Sequence, residues 1–314
     1  MSIEVLHNQI LELKSQKDVA ILSHYYQRIE IQEIADHLGD SLGLSRIAKD
    51  EVDSDYIIFA GVGFMAETAS IINPDKHVLI PNPESRCPMA AFLSPQDVRG
   101  FKKQYPNMPV IVYVNSTAAV KAEADICCTS SNSIEISKKI QKEFGSNGVL
   151  FGPDANLADY VEQNSSVNTI KMPEDGHCIV HTRIKPSDIK SMKNAHPSAK
   201  VVVHPECERR VRQLADAVGS TAFMYNFVKD DSSQTDEFII GTERGLVERM
   251  RADIPDKTFY LANDNMICYN MEKHTLELIK YVLENLDDTK FEIKVPQKIA
   301  QRARTPINRM LRYS

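Results

Sequence analysis

Three cysteines recur along the chain at an almost constant interval. Cys178 follows Cys87 by 91 residues, and Cys268 follows Cys178 by 90. Each one closes an apolar segment that ends in a turn, and the three segments read HVLIPNPESRC, NTIKMPEDGHC and TFYLANDNMIC. Copies of one unit around a common axis bring equivalent residues together, so the three thiolates are predicted to converge on one site. Three soft ligands with a vacant position are typical of a catalytic metal centre.

Polar residues at the ends of strands are the next candidates for chemistry. His24, Asn115 and His204 lie 63, 63 and 64 residues before the following cysteine, which predicts that they end equivalent strands. Side chains two residues apart in an extended segment share a face. The pairs of this kind are His24 with Tyr26, Tyr113 with Asn115, and His204 with Glu206. The last pair joins an imidazole to a carboxylate, which suits coupled proton transfer.

The elements that must position these residues also repeat. Each copy opens with a short β-branched strand, at 19–25, 109–115 and 200–206. After a helical stretch comes a second apolar strand, at 56–61, 148–153 and 237–242, which carries Gly61, Gly152 or Gly241 near its end. Short apolar runs of this kind are typical of buried parallel strands.

The order strand, helix, strand, helix, strand predicts a small parallel sheet with helices on both faces. We therefore expect an α/β chain made of three similar α/β/α (Rossmann-like) domains, related by pseudo-threefold symmetry around a central site. The expected divisions are 1–88, 89–180 and 181–270, followed by 271–314, where a helix closes the ring and a basic tail packs outside it. Open sheets bind ligands beyond the carboxyl ends of their strands, and the cysteines and polar pairs lie at that edge.

Hydroxyl residues lie in turns ahead of predicted helices. These residues are Ser41, Ser130 and the adjacent Ser220 and Thr221. The N-terminus of a helix offers N–H groups and a favourable dipole to an anion, so such turns suit a phosphate or carboxylate. The same residue types also cap helices with no ligand present, and both interpretations stay open here.

Composition limits the classes of function. The chain has 314 residues, 42% of them hydrophobic, and a net charge of −6. This length suits two or three domains, and the lack of a membrane-length apolar run or a basic leader predicts a cytoplasmic protein with no membrane partner. An acidic chain without a basic stripe is not expected to bind nucleic acid. In a reducing compartment, six cysteines indicate metal ligands or inert thiols.

The succession of motifs resembles the quinolinate synthase family, iron-sulfur enzymes of de novo NAD biosynthesis. The matching segments run from about residue 19 to 280 and include LSHYYQ, GVGFMAETASIINPDKHVLIP, VIVYVNSTAAVKAEADICCTSSN, FGPDANLADYV, VVVHPEC and GTERGLVERM. The likeness covers the whole family pattern, so it is more specific than any single motif.

This resemblance implies a reaction and a cofactor. Iminoaspartate would condense with dihydroxyacetone phosphate and lose phosphate and two waters to give quinolinate. A 4Fe-4S cluster would be bound by Cys87 in ESRC, Cys178 in GHC and Cys268 in ICYNM, which makes the central site an iron-sulfur site with one open iron. An open iron can act as a Lewis acid toward an oxygen or nitrogen atom of the reacting molecule.

The resemblance also implies roles for the polar residues. Glu206 would be the principal acid and base, with His204 beside it, and the Tyr26 phenol would help to enolise the triose phosphate. The residues implied in substrate binding are His24, Ser41, Tyr113, Val114, Asn115, Ser130, His181, His204, Pro205, Glu206, Ser220 and Thr221.

The remaining cysteines are weaker candidates. Cys127 and Cys128 are neighbours in an apolar stretch, where side chains on a strand face opposite ways, so we expect them to be structural. Cys207 follows the HPE motif and has no equivalent in the other units. Some family members carry a CxxC pair before the last ligand, but NDNMIC has no second cysteine, so no regulatory disulfide is expected here.

Other functions could use the same three cysteines. A different 4Fe-4S hydro-lyase would act on another hydroxy acid, and a cluster-based redox sensor would control a partner, although no helix-turn-helix or basic arm is apparent. Zinc on three cysteines is also chemically allowed. Because iminoaspartate hydrolyses, we hypothesise a functional link to the enzyme that produces it, an aspartate-oxidising enzyme or an aspartate dehydrogenase.

Overall fold

Three four-stranded parallel sheets form the framework of the protein. The computed structural model describes residues 2–230 and 235–313. Helices flank each sheet, and the strand order is the same in all three. The predicted α/β fold of three similar Rossmann-like units is therefore confirmed.

The first sheet has the order β2-β1-β3-β4. Its strands are β1 (Val19–His24), β2 (His37–Gly39), β3 (Tyr56–Ala60) and β4 (His77–Leu79). The accompanying helices are α1 (Ile3–Lys17), α2 (Ile29–Gln32), α3 (Ser41–Asp50) and α4 (Gly63–Ile72).

The second sheet repeats this order as β6-β5-β7-β8. Its strands are β5 (Val110–Tyr113), β6 (Ile126–Cys128), β7 (Val149–Gly152) and β8 (Thr169–Lys171). The helices of this stretch are α5 (Pro95–Gln104), α6 (Ala118–Lys121), α7 (Ser133–Phe144) and α8 (Ala155–Asn164).

The third sheet has the order β10-β9-β11-β12. Its strands are β9 (Lys200–Val203), β10 (Ala217–Val218), β11 (Glu237–Gly241) and β12 (Thr258–Leu261). The helices are α9 (Pro186–Ala195), α10 (Arg209–Arg212), α11 (Thr221–Asp230) and α12 (Arg244–Asp253), and the chain continues with α13 (Leu276–Glu284) and α14 (Gln297–Tyr313).

Each sheet has one strand more than the sequence predicts. The additional strands, β2, β6 and β10, are only two or three residues long and lie at one edge of their sheets. The expected helix between the first two strands is a single turn in all three units, namely α2, α6 and α10. So few residues show no measurable periodicity, which is why the predicted pattern had three strands instead of four.

The backbone register corrects one predicted equivalence. Three aspartates, Asp36, Asp125 and Asp216, each accept a hydrogen bond from a strand N–H, that of Ile21, Val110 and Val201 respectively. Counting forward from these strand residues aligns His24 with Tyr113 and His204. The prediction that Asn115 is the counterpart of the two histidines is therefore wrong. The counterpart is Tyr113, which lies 65 residues before Cys178, whereas the histidines lie 63 and 64 residues before their cysteines. The polar pairs themselves remain equivalent as pairs.

The helix after each cysteine packs on the next unit of the ring. Val98 of α5 lies in one core with β5, and Ile189 of α9 lies in one core with β9 and β11. Ile279 of α13 completes the cycle, because it is buried together with Ile21 and Ile58 of the first sheet. In the structure this helix begins at Leu276, after a turn, and covers the first sheet.

The C-terminal tail joins two units. Ala303, Ile307 and Met310 of α14 are buried in the core that the first and second sheets share, beside α4, α6 and β6. The predicted tail strand is reduced to one antiparallel bridge between Leu79 and Glu292. The tail therefore packs against both the first and the second unit.

Buried polar side chains connect the units in a cycle. They occupy the last position of the three single-turn helices and are Gln32, Lys121 and Arg212. Each reaches a helix of the neighbouring unit: Gln32 Nε2 donates to Gly245 O at 3.1 Å, Lys121 Nζ donates to Phe64 O at 3.2 Å, and Arg212 pairs with Asp159. These contacts fix how the three strand ends face one another.

Among the helices in the described part of the chain, none combines the length and apolar character needed to cross a bilayer.

Candidate metal centre and active site

A pocket lies where the carboxyl ends of the three sheets meet. The space between its lining side chains measures about 670 Å³, including the part that opens to solvent. Thirteen residues singled out from the sequence line it: His24, Tyr26, Ser41, Cys87, Tyr113, Asn115, Ser130, Cys178, His181, His204, Glu206, Thr221 and Cys268. Val114, Pro205 and Ser220 are not part of the lining. All three units thus contribute to one site.

The three repeated cysteines share this pocket as free thiols. Burial raises the pKa of Cys87 to about 12 and that of Cys268 to about 11, and it raises the pKa of Cys178 well above its usual value. Negative charge on one thiolate raises the pKa of the others, so the sulfurs lie within each other's field. Metal binding would remove three protons from this set and relieve the repulsion.

Two acidic residues hold the cysteine loops, and the sequence analysis missed both. Asp154 Oδ2 accepts the backbone N–H of Cys178 at 3.1 Å, and Glu243 Oε1 accepts that of Cys268 at 3.2 Å. They are the N-cap residues of α8 and α12 and follow the glycines of GPD and GTE by two residues. The N-cap of α4 is Val62, so the first loop has no matching carboxylate.

This donor set fits a 4Fe-4S cluster with one iron free of protein thiolate. The soft sulfur ligands, one from each unit, come from loops that are themselves hydrogen-bonded, as ligating residues usually are. The other cysteines, Cys127, Cys128 and Cys207, are buried away from the lining. No fourth cysteine therefore reaches the pocket in the residues that the structure covers.

The two strand-end histidines are neutral N–H donors. His24 Nδ1 accepts the Tyr26 N–H at 3.1 Å, and His204 Nδ1 accepts the Glu206 N–H at 3.3 Å. These bonds assign the proton to Nε2 in both rings. Burial lowers the pKa of both histidines to about 3, and neither Nε2 has a partner among the described residues. Both N–H groups are available to a bound oxyanion.

Glu206 is a buried carboxylate held by two groups. The Tyr113 hydroxyl donates to Oε1 at 2.6 Å, and Oε2 lies 2.7 Å from His181 Nδ1. Burial opposes its ionisation, but the fields of the His204 and His181 imidazoles and the hydrogen bond from Tyr113 act the other way and lower the pKa of Glu206. The side chain is therefore an ionised base at neutral pH.

Tyr26 belongs to a second set of hydrogen bonds. Its hydroxyl lies 2.7 Å from Thr242 Oγ1 and accepts from Thr221 Oγ1 at 3.0 Å. Thr242 Oγ1 also lies 2.9 Å from His181 Nε2. Burial raises the pKa of Tyr26 well above its usual value, so the phenol keeps its proton. Thr242 was not predicted from the sequence, where it is the residue after the glycine of β11.

The hydroxyl and amide residues divide into two groups. Ser41 and Thr221 are the first residues of α3 and α11 and line the pocket with Ser130. Ser220 Oγ instead accepts the Phe223 N–H at 3.3 Å, so the capping interpretation suits it. Asn115 Oδ1 is buried with no partner among the described residues, which is expected of an atom that contacts a ligand.

A second donor set overlaps the first. Ligand atoms of Cys178, His181 and Glu206 lie within 4.8 Å of one another and could hold a single metal ion. The close contact between His181 Nδ1 and Glu206 already occupies two of these atoms. A lone ion here would have to break that contact, whereas a cluster on the three cysteines would not.

Comparisons with known proteins point to one family. The family model for the quinolinate synthetase A protein matches residues 8–312. The chain is 45% identical over 309 residues to the quinolinate synthase of Pyrococcus horikoshii, which covers 98% of this chain and 99% of the relative. It is also 45% identical over 309 residues to the quinolinate synthase of Methanothermobacter thermautotrophicus (98% of each chain) and 42% identical over 303 residues to that of Thermotoga maritima (96% and 98%).

Proposed function

The chain belongs to the quinolinate synthase family, enzymes of NAD biosynthesis, and we propose that it condenses iminoaspartate with dihydroxyacetone phosphate to give quinolinate, phosphate and water. The observation that carries this proposal is the convergence of three equivalent cysteines and three equivalent polar pairs on one pocket. Carbon-carbon condensation with loss of phosphate makes the enzyme transferase-type.

We assign the cluster to Cys87, Cys178 and Cys268. A bound 4Fe-4S cluster with an open iron supplies a Lewis acid that polarises an oxygen or nitrogen of the substrate. Asp154 and Glu243 keep two of the cysteine loops in place through backbone hydrogen bonds. Such supporting contacts orient the ligands and tune the metal they hold.

The substrate anions are assigned to neutral donors. The Nε2–H groups of His24 and His204 suit the carboxylates of iminoaspartate, and Asn115 offers an amide beside them. Ser41, Ser130 and Thr221, at or just before helix N-termini, suit the phosphate of the triose. Val114, Pro205 and Ser220 lie outside the lining, so we restrict their proposed part in binding to the backbone.

Glu206 is the proposed base. It is ionised and buried, so its carboxylate can take a proton from carbon without competition from water. Tyr113 and His181 keep it in place. Tyr26 keeps its proton and is the proposed acid toward a carbonyl or hydroxyl of the triose.

We also propose the division into domains 1–88, 89–180 and 181–270 with the extension 271–314, and a functional link to an iminoaspartate-producing enzyme. The six cysteines are all free thiols, which supports a reducing, cytoplasmic location.

The test is quinolinate formation by the anaerobically purified protein. Freshly generated iminoaspartate and dihydroxyacetone phosphate are supplied to the parent and to Cys268→Ser at equal protein concentration, with iron and sulfide measured in both. We expect quinolinate and about four irons per chain in the parent only. Cys207→Ser is the matched control, because that thiol lies outside the lining, and it should keep both iron and activity.

Other results would redirect the assignment. An iron-replete parent that makes no quinolinate would favour a different cluster-dependent hydro-lyase. A colourless protein that holds one zinc would instead favour the Cys178, His181 and Glu206 set.

A further inference from the structure

We propose that the residue five positions after each repeated cysteine holds the loop of the next cysteine, so that three loop-to-loop contacts fix the triangle of thiolates. These residues are Phe92, Arg183 and Lys273, each counted from the cysteine before it. They are positioning residues for the proposed metal centre. The inference rests on that part of the proposed function and not on the reaction carried out there.

Arg183 lies in the turn after the second cysteine and reaches the loop of Cys268. Its Nη1 donates to Asn265 O at 3.1 Å and to Ile267 O at 3.4 Å, the carbonyls three and one residues before that cysteine. The guanidinium also lies over the Tyr269 ring, 5.7 Å from its centre, where cation–π attraction adds to the hydrogen bonds. One side chain therefore contacts the residues on both sides of Cys268.

Lys273 makes the equivalent contact from the turn after the third cysteine to the loop of the first. Its Nζ donates to Glu84 O at 2.6 Å, the carbonyl three residues before Cys87. In both of these loops the same carbonyl also accepts the N–H group two residues later, at 2.9 Å. Each carbonyl therefore has one donor from its own loop and one cationic donor from the neighbouring turn.

The middle loop has the same kind of contact with different side chains. The carbonyl three residues before Cys178 belongs to Asp175 and lies 2.7 Å from His177 Nδ1, which donates to it because a carbonyl only accepts. The Phe92 ring packs on this imidazole, with ring centres 5.0 Å apart. Phenylalanine has no donor of its own, so the imidazole binds the carbonyl and the phenyl ring holds the imidazole.

Contacts within a unit and contacts between units hold the loops in different ways. Asp154 and Glu243 anchor the second and third cysteine loops to helices of their own units. The N-cap behind the first loop is Val62, which offers no carboxylate, but Ser85 Oγ donates across the junction to Asn270 O at 2.5 Å. The position of each thiol therefore depends on the unit before it as well as on its own.

The experiment measures the alkylation rate of each cysteine by mass spectrometry in the full chain, after anaerobic removal of the metal. Arg183→Met removes the guanidinium and keeps much of its volume. We expect Cys268 to react about fivefold faster, as the loss of one hydrogen bond allows, while Cys178 changes by less than about twofold. Lys273→Met should have the same effect on Cys87. Arg183→Lys keeps a cationic donor and should restore the parent rate within about twofold.

Two further variants complete the comparison. Phe92→Ala should increase the alkylation rate of Cys178 alone. Lys185→Met is the matched control, because this exposed lysine lies two residues after Arg183 but pairs with Glu208 instead of a cysteine loop. It should leave all three rates unchanged. An equal increase at all three cysteines, or an increase only at the cysteine of the same turn, would overturn the inference.

Iron release from the anaerobic holoprotein to a chelator tests the same contacts with the metal bound. Arg183→Met and Lys273→Met should each lose iron about tenfold faster than the parent, since supporting contacts of metal ligands usually contribute that much to affinity. Lys185→Met should match the parent, and parent rates in the other two variants would contradict the proposed contacts. Neither measurement uses quinolinate. A protein that makes none but shows these patterns refutes the proposed reaction and leaves the loop-to-loop contacts standing.

Discussion

Glu206 keeps its charge in a pocket where His24 and His204 have lost theirs. The same burial acts on all three, but the carboxylate accepts a hydrogen bond from the Tyr113 hydroxyl and lies 2.7 Å from His181 Nδ1, whereas each imidazole accepts from a backbone N–H that stabilises its neutral form. The site therefore holds one buried anion among neutral donors. An anionic substrate can bind where it meets the N–H and O–H groups, away from the Glu206 carboxylate.

His274 offers a pH test away from the pocket lining. Its Nε2 lies 2.6 Å from Gly61 O, to which it donates, and burial lowers its pKa to about 4. From pH 6.5 down to about 4 the unfolded chain binds a proton that the folded protein does not, so stability is lost as pH falls, by about 1.4 kcal/mol per pH unit. His24 and His204 contribute to the pH dependence of stability equally in the parent protein and in a variant changed only at His274.

We expect His274→Gln to flatten this dependence, since the glutamine amide can still donate to Gly61 O and does not titrate. Anaerobic guanidinium denaturation at pH 8, 6.5 and 4.5 measures it. Between the last two values the parent should lose about 2 to 3 kcal/mol more than the variant. If the parent and the variant lost the same stability between these pH values, His274 would take up its proton equally in the folded and the unfolded protein.

Single residues were predictable where a short local rule applied. The rule that residues two apart share a strand face found His204 with Glu206 and Tyr26 with His24, and the period found the cysteines. Thr242, Asp154 and Glu243 were missed because they function through partners 24 to 61 residues away in the chain. Aligning the three units on their glycines also misaligned these positions, since Gly61 is one residue out of register with Gly152 and Gly241.

At the scale of elements, the cysteine loops depend on close backbone contact as well as on hydrogen bonds. The Ala155 N–H donates to Gly176 O at 2.8 Å, two residues before Cys178. A Cβ atom at Gly176 would lie 2.0 Å from Pro153 O. Only glycine fits at that distance, so the end of β7 fixes the position of the Cys178 loop.

Gly176→Ala is expected to displace this loop and cost the protein most of its iron. Gly100→Ala is the matched control, since a Cβ at Gly100 in α5 meets nothing within 4 Å. The control should keep its iron and gain about 0.5 to 1 kcal/mol of stability, because alanine favours the helix. Iron analysis and anaerobic denaturation check both, and parent-like iron in Gly176→Ala would contradict the account.

The central strands, which have long apolar runs, were predictable, and the short edge strands β2, β6 and β10 were not. The runs at 19–25, 56–61 and their repeats gave central strands within three residues of the observed ends. Strands β2, β6 and β10 exist because the neighbouring strand offers them hydrogen bonds, which is information that two or three residues do not carry.

At the scale of the whole molecule, the units are joined by polar side chains of three different types. Arg212 is 4% exposed and pairs with Asp159 of α8, which also accepts from Arg209 Nε at 3.0 Å. The period predicted a ring, but it could not predict these contacts, because glutamine, lysine and arginine at one repeated position share no sequence signature.

Arg212→Met should destabilise the protein by about 2 to 3 kcal/mol, since it leaves the largely buried carboxylate of Asp159 with only its more exposed partners, Arg209 and Lys171. Arg210→Met, on the same short helix but exposed, should change stability by less than about 0.5 kcal/mol. Anaerobic denaturation of both variants decides the point, and equal stabilities would mean that the Arg212 pair does not hold the second and third units together.

The packing of α13 on the first sheet has an evolutionary consequence. In a single unit with one cysteine, the helix that follows the cysteine would not cover the sheet of that unit. It would pack instead on the sheet of the next copy. Such a peptide would assemble as a domain-swapped homotrimer that already possessed a three-thiolate centre. Joining three copies in one chain would let each copy diverge, and one pair of positions here reads His and Tyr, Tyr and Asn, and His and Glu.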